Sequence, residues 1–170
     1  MLIKPHLQLN RATDISVQLL LERGIDTLIL DVDNTLCIRK GAEILPGILQ
    51  WLDDLRAAGI KLIILSNAMP SRMQGIAARF SLPFVGLGGK PLPFGFLRAI
   101  KRMGSKAKHT AIVGDQLFTD MLGGHLAGCQ TLLVCPVEKE TAATLRLKRW
   151  LERPLLKAWG MQCDFKKREL

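Results

Sequence analysis

Short apolar runs alternate along this chain with longer stretches of helical period. Five runs read as strands: Thr27–Leu30, Lys61–Leu65, Pro83–Val85, Thr110–Val113 and Thr131–Val134. Each is rich in Ile, Val or Leu, the pattern of a strand covered on both faces. Between them lie segments with helix start and stop signals. One spans about Pro46 to Ala58, opened by proline in its first turn and closed by Gly59. Another starts near Pro70 and fades by Phe80. A third covers about Pro93 to Met103, and a fourth is capped by Thr119 and ends at Gly128. An earlier helix runs from about Asp14 to Arg23 and stops at Gly24. This alternation predicts an α/β fold: a doubly wound, mainly parallel five-stranded sheet with helices on both faces. No repeat, low-complexity tract or linker breaks the pattern. One domain over 1–170 is expected, with its core at about 25–136 and a tail over about 138–170.

Composition narrows this picture. A length of 170 residues suits one substantial core. An apolar fraction of 48% and a mean hydropathy of +0.19 fit a folded protein. No apolar run reaches the roughly 18 residues that cross a bilayer. The opening MLIKPHLQLNRATD has no long apolar core and no small-residue cleavage site. The expectation is a cytoplasmic protein without a transmembrane helix. Cys37, Cys129, Cys135 and Cys163 form no CxxC pair, so reduced, mostly buried thiols are expected rather than a zinc site or disulfide framework. His6, His109 and His125 are dispersed and receive no metal or triad role.

Charge changes the picture more. The net charge is +9, and no acidic residue stands between Asp54 and Asp115, an interval that holds ten bases. Such a block attracts anionic partners through its long-range field. Phosphorylated lipid, nucleic acid and acidic protein all fit, and so does a merely solvated basic face.

Candidate chemistry gathers where open α/β sheets bind ligands, beyond the carboxyl ends of the strands. Asp31-Val32-Asp33-Asn34-Thr35-Leu36 follows the first strand and Ser66-Asn67 the second. Gly89-Lys90-Pro91 lies between the third and fourth, and Gly114-Asp115-Gln116-Leu117-Phe118-Thr119-Asp120 follows the fourth. Two carboxylates two residues apart at the end of a buried strand repel one another and are costly to desolvate, so something positive must come to them. Taken singly, each piece has an ordinary reading. Asp33-Asn34-Thr35 can be an N-cap cluster, Ser66-Asn67 a turn, Lys90 a surface lysine, and Thr119 with Asp120 a cap. Their co-occurrence at successive strand ends carries the functional reading. Gly86, Gly88 and Gly89 permit a turn that delivers Lys90, since no GxGxxG or Walker pattern is present.

In this order and context, DxDNT, SN, KP and GDxxxxD resemble the four motifs of the haloacid dehalogenase-like (HAD) superfamily over roughly residues 25 to 136. DVDNTL with GDQLFTD is similar to the capless subclass III and, within it, to the YqeG-type phosphatases, which are in turn similar to phosphatidylglycerophosphate phosphatases. The resemblance implies that Asp31 is a nucleophile forming an aspartyl-phosphate. It makes Asp33 the general acid for the leaving alkoxide and then the base for water. That second Asp favours a phosphatase over the dehalogenases and phosphonate cleavers of the superfamily. A carboxylate attacking an anionic phosphate needs a cation, and Mg²⁺ suits oxygen ligands. Its implied ligands are the Asp31 side chain, the Asp33 backbone carbonyl and Asp115, with Asp120 orienting a metal-bound water or holding Lys90. The implied phosphate-binding set is Ser66, Asn67 and Lys90: Ser66 bonds a phosphoryl oxygen, Asn67 shapes the loop, and Lys90 neutralises charge on nucleophile and phosphoryl group. Where similar sequences often carry Asn after a Gly-Gly pair, this one has His125.

Spacing and the tail bear on the substrate. Only 29 residues separate Leu36 from Ser66, and 22 separate Asn67 from Lys90. Neither interval holds a cap domain, so an open site and a bulky substrate with a projecting phosphate are expected. Thr141–Leu170 has eight bases against three acids, a net +5. Leu147, Trp150, Leu151, Leu155 and Trp159 could share a helical face, although Pro154 should kink or interrupt it. Packing on the sheet is expected for Leu145–Leu151, and a membrane-interface role beyond Pro154. The preferred reading is Mg²⁺-dependent dephosphorylation of phosphatidylglycerophosphate to phosphatidylglycerol, with the protein peripheral on the cytoplasmic membrane face and no obligate protein partner. The alternatives are a phosphatase for nucleic-acid ends or phosphoproteins and a non-enzymatic basic interaction module. The nucleic-acid version is weakened by the lack of aromatics among the bases.

Overall fold

The computed structural model describes residues 3–38, 40–138 and 143–161, with residues 143–149 described by backbone alone. Strands β1 (Leu7–Leu9), β2 (Thr27–Leu30), β3 (Cys37–Ile38), β4 (Glu43–Ile44), β5 (Lys61–Leu65), β6 (Phe84–Val85), β7 (Thr110–Gly114) and β8 (Gln130–Val134) alternate with helices. The helices are α1 (Val17–Glu22), α2 (Ile48–Ala57), α3 (Pro70–Phe80), α4 (Phe94–Arg102), α5 (Leu122–Leu126) and α6 (Ala143–Ala158). Six strands make one sheet in the order β1-β8-β7-β2-β5-β6, every pair parallel. All five expected strands are present. The sixth, β1, is an edge strand of three residues, too short to leave a pattern. It is held beside β8 by His6, which exchanges hydrogen bonds with Thr131, and by His125, whose Nε2 donates to the Lys4 carbonyl at 2.7 Å.

Strand alternation sorts the core into two layers. Leu28, Leu30, Leu62, Ile64, Ala111 and Val113 join Leu20 of α1, Trp51 and Leu55 of α2, and Met73 and Phe80 of α3 on one face. Ile29, Ile63, Leu65, Ile112 and Leu133 join Phe96, Ala99 and Ile100 of α4 on the other, with Leu155, Leu156 and Trp159 of α6 packed against them. From β2 the chain builds outward through β5 and β6, then returns to β7 on the other side. The β2–β7 junction is therefore the point where strand order reverses, and ligands of such sheets bind outside it.

Local departures have local causes. The first helix starts later than expected because the Ser16 hydroxyl, not Asp14, accepts from the Leu19 amide at 3.1 Å. The expected helix from Thr119 to Gly128 is split: a wide π-type turn, Leu117–Met121, precedes a short α5. Between Leu36 and Ser66 the described residues form only the β3–β4 hairpin, α2 and β5. Between Asn67 and Lys90 they form only α3 and β6. No cap domain is inserted at either place.

The C-terminal helix corrects the expected division of the tail. It runs through Pro154 without interruption. Trp150 and Leu151 are exposed, whereas Leu155, Leu156 and Trp159 beyond the proline pack on the core. Glu152 is buried, and its Oε1 accepts from the Leu117 amide at 2.8 Å. That contact and the three apolar side chains anchor the helix on both sides of Pro154. The rest of the expected membrane segment, 162–170, lies outside the described residues. No helix among the described residues is long and apolar enough to cross a membrane. Cys37 and Cys129 are free buried thiols, but Cys135 is disulfide-bonded, contrary to the expected reduced thiol. Cys163 lies outside the described residues.

α4 reaches the site through one close approach. A Cβ on Gly95 would lie 2.1 Å from the Gly88 carbonyl oxygen. Because that neighbour is backbone, it cannot swing away. Gly95→Ala should cost about 1–3 kcal/mol by overpacking in urea unfolding, and parental stability would contradict this packing.

Candidate active site

Asp31 extends the ladder by one residue beyond β2, its amide donating to the Val113 carbonyl at 2.9 Å. The chain then tightens, with the Val32 carbonyl accepting from the amides of Leu36 and Cys37. Asn34 takes the left-handed turn position (φ 62°), which Asn tolerates better than most residues. Across the strand-order reversal, Asp115 leaves β7. The π-type turn folds back so that the Asp120 Oδ2 accepts from the Gln116 amide at 3.2 Å. A Cβ on Gly114 would lie 2.5 Å from the Asp120 carboxyl carbon, so only glycine lets this side chain fold under the strand end.

Three buried carboxylates thus converge. Oxygens of Asp31, Asp115 and Asp120 all lie within 4.8 Å of one another. Lys90 enters from the β6–α4 loop. Its Nζ donates to Asp31 Oδ1 and to Asp120 Oδ1, the latter at 2.6 Å. Its backbone is gripped by Asn67, whose Oδ1 accepts from the Lys90 amide at 2.8 Å while its Nδ2 donates to the Lys90 carbonyl at 3.0 Å. Both ends of the Asn67 amide are therefore spent on positioning the lysine. Ser66 is buried, and its Oγ accepts from the Ala68 amide at 3.1 Å, which orients the hydroxyl beside the loop.

Asp33 stands apart from this cluster. Its carboxylate lies at the surface, with both oxygens 3.0 Å from the Arg72 guanidinium. Thr119 donates to Gln116 Oε1 within the turn and does not cap α5. Arg72 and Glu152 are contacts that sequence reasoning missed. Arg72 sits one turn into α3 among many bases, and nothing local distinguishes it. Glu152 is a lone acid in a basic helix, which was the available signal.

Burial raises the Asp31 carboxyl to about 7, with Lys90 opposing the shift and Asp120 adding to it. Burial works to lower Lys90, but Asp120 and Asp31 more than reverse this, so its pKa is raised and it stays charged. The donors are all carboxylate oxygens, the ligand type of a hard divalent cation, and they lie close enough to share one. The residues present therefore fit a divalent ion, with Asp31 and Asp115 as side-chain ligands and Asp120 turned toward Lys90.

Likeness to known proteins identifies the family and the fold. A family model described as haloacid dehalogenase-like hydrolase matches residues 14–128. The chain is 34% identical over 144 residues to "Probable phosphatase YqeG" of Bacillus subtilis (strain 168), covering 85% of this chain and 84% of that protein. It is 26% identical over 168 residues to "Phosphatidylglycerophosphate phosphatase 1, chloroplastic/mitochondrial" of Arabidopsis thaliana, covering 92% of this chain and 48% of that protein. Among solved structures, a HAD family hydrolase from Deinococcus radiodurans R1 superposes with a TM-score of 0.55 at 16% identity. That match covers 84% of this chain and 100% of the other, a likeness of fold.

The raised Asp31 carboxyl fixes the sign of a pH effect. Its folded value, about 7, exceeds the ordinary 3.8, so the native state holds the extra proton across that window. Without divalent metal, stability should fall as pH rises from about 4 to about 7, at up to about 1.4 kcal/mol per pH unit, and level off above. Urea unfolding in chelator should show this decline in the parent relative to Asp31→Asn. Identical pH profiles for the two would contradict it.

Proposed function

This chain belongs to the haloacid dehalogenase-like hydrolase family, and from that premise we propose that it is a Mg²⁺-dependent phosphomonoesterase acting on a phospholipid, phosphatidylglycerophosphate by preference. The observation that carries the chemistry is the convergence of Asp31, Asp115 and Asp120 with Lys90 at the β2–β7 junction. A nucleophile, a cation site and a fixed ammonium then share one buried corner.

In this reading an Asp31 oxygen attacks phosphorus, the bond from phosphorus to the alcohol oxygen breaks, and Asp33 gives that oxygen a proton. Asp33 then takes a proton from the water that cleaves the aspartyl-phosphate, which regenerates Asp31. To act, Asp33 leaves Arg72, takes a proton from solvent and turns as the carboxylic acid to the leaving oxygen. Asp31, Asp115 and the Asp33 carbonyl would hold Mg²⁺, which would supply screening of the charge between carboxylate and phosphate. Lys90 neutralises the same charge from a direction fixed by Asn67 and Asp120. Ser66 is placed beside the incoming phosphoryl group.

The lipid assignment is supported by the missing cap, by the basic block between Asp54 and Asp115, and by the likeness to the Arabidopsis phosphatidylglycerophosphate phosphatase. Phosphate release across phosphatidylglycerophosphate, nucleotide-end and phosphopeptide substrates tests it. The lipid should turn over fastest, chelator should abolish turnover, and Asp31→Asn should lose at least about three orders of magnitude, the scale of a deleted nucleophile. Preferential release from oligonucleotide ends would replace the lipid assignment, while normal turnover by Asp31→Asn would remove the nucleophile.

Asp33→Asn addresses the proton transfer. Its rate loss should be small with aryl phosphates, which leave unprotonated, and about 10²–10⁴-fold with alkyl phosphates. Equal losses on both would deny Asp33 the acid role.

A further inference from the structure

The mouth of the site carries an apolar rim that neither the core nor the chemistry uses. Met69, Leu87, Leu92, Phe94 and Leu97 are large hydrophobic side chains left exposed, Phe94 at 67%. Single exposed leucines are ordinary on a protein surface, and a group gathered at one place is not. These five come from the segments that deliver the phosphate-binding residues. Met69 follows Ser66-Asn67, Leu87 lies in the loop between β6 and Lys90, and Leu92 and Phe94 follow Lys90.

The backbone holds these segments together. The Leu87 amide donates to the Ala68 carbonyl at 2.9 Å. Gly86 lies against Pro70, and Gly95 lies against Gly88, each so close that a Cβ would meet the neighbour's backbone. Leu87 is therefore adjacent to Met69 on one side and to Phe94 on the other.

Leu87 adds an independent sign. Its φ is +47°, a left-handed conformation that a leucine adopts at a cost. Its amide is tied to Ala68, and its carbonyl accepts from Arg98 at 3.2 Å. The backbone is pinned while the apolar side chain stands in solvent, an arrangement that points to function rather than packing.

The surrounding charge selects the occupant. Arg72, Arg98, Lys101 and Arg102 are exposed on α3 and α4, inside the interval that has no acidic residue. A rim of Leu, Met and Phe edged by these four bases, with the Asp33 carboxylate held on Arg72, is complementary to an anionic bilayer surface, which offers hydrocarbon below and phosphate for the bases. We infer that the rim formed by Met69, Leu87, Leu92, Phe94 and Leu97 is a membrane-docking face that seats the open site directly on anionic lipid headgroups. This deepens the lipid reading proposed above and moves the membrane contact from the C-terminal helix to the active-site mouth.

The test uses the full chain and vesicles of phosphatidylcholine with or without phosphatidylglycerol. Asparagine tolerates the left-handed conformation, so Leu87→Asn removes the apolar group without disturbing the turn. Leu87→Asn combined with Phe94→Ser should lower the partition onto phosphatidylglycerol vesicles by about tenfold or more, the order for withdrawing leucine-sized groups from an interface. Hydrolysis of p-nitrophenyl phosphate in solution and the melting temperature should stay at parental values. Trp150→Ser, on exposed α6, should leave the partition unchanged. The inference is overturned if the parent ignores anionic vesicles, if the double variant binds them as the parent does, or if Trp150→Ser alone abolishes binding. It also fails if sedimentation shows a parental dimer that the double variant dissolves, since the face would then pair with a second copy. Vesicle binding by this rim without release of phosphate from phosphatidylglycerophosphate would sink the proposed substrate and leave the docking face standing.

Discussion

The buried charge at the β2–β7 junction governs the architecture around it. Asp31, Asp115 and Asp120 cannot sit together in a dry corner without positive charge at close range. Lys90 supplies part of it, and its own burial is sustainable only between two of those carboxylates. Much of the nearby covalent detail serves this closeness. Gly114 lets Asp120 fold under the strand end, the wide turn after Leu117 aims its carboxylate, and Asn67 fixes the lysine's backbone. Carboxylate oxygens gathered this closely are the donor set that suits a divalent cation.

That corner sits at the end of the sheet because parallel strands deliver their carboxyl ends to one edge. Covering both faces with helices then leaves only that edge open. α6 completes the second face, where Leu155, Leu156 and Trp159 lie on the α4 layer. Its Glu152 also fixes the Leu117 amide at the start of the turn that carries Asp120. The C-terminal helix is thus a structural support of the loop bearing the acidic cluster, and of the apolar side chains that suggested a membrane anchor Leu155 and Trp159 are committed to the core while Trp150 and Leu151 stay exposed. With no cap inserted, the groups that surround an incoming substrate are those of the rim itself.

The openness of the site has a physical consequence for specificity. A capped enzyme selects small substrates by enclosing them. Here discrimination falls to whatever bears the phosphate and can lie against a basic, partly apolar surface. In the proposed docking, the bases that would draw an anionic surface near stand apart from the buried cluster. Long-range attraction and the proposed chemistry would then be carried by different residues, except at Arg72, which holds Asp33 at the boundary between them.

Much of this was legible in the chain alone. Runs such as Thr27–Leu30 and Lys61–Leu65 are apolar because they are covered on both faces, so their period reveals strands without any tertiary knowledge. Asp31, Ser66 and Asp115 stand next to such runs and Lys90 in a loop beyond another, and parallel topology then brings them to one edge. What the chain could not disclose depended on contacts between distant segments. β1 forms because His6 and Thr131 meet across 125 positions. α6 passes through Pro154 because packing holds it on both sides. Glu152 finds Leu117, Arg72 finds Asp33, and the rim assembles from two loops and α4, since side chains far apart in sequence become neighbours only when the sheet sets their distances.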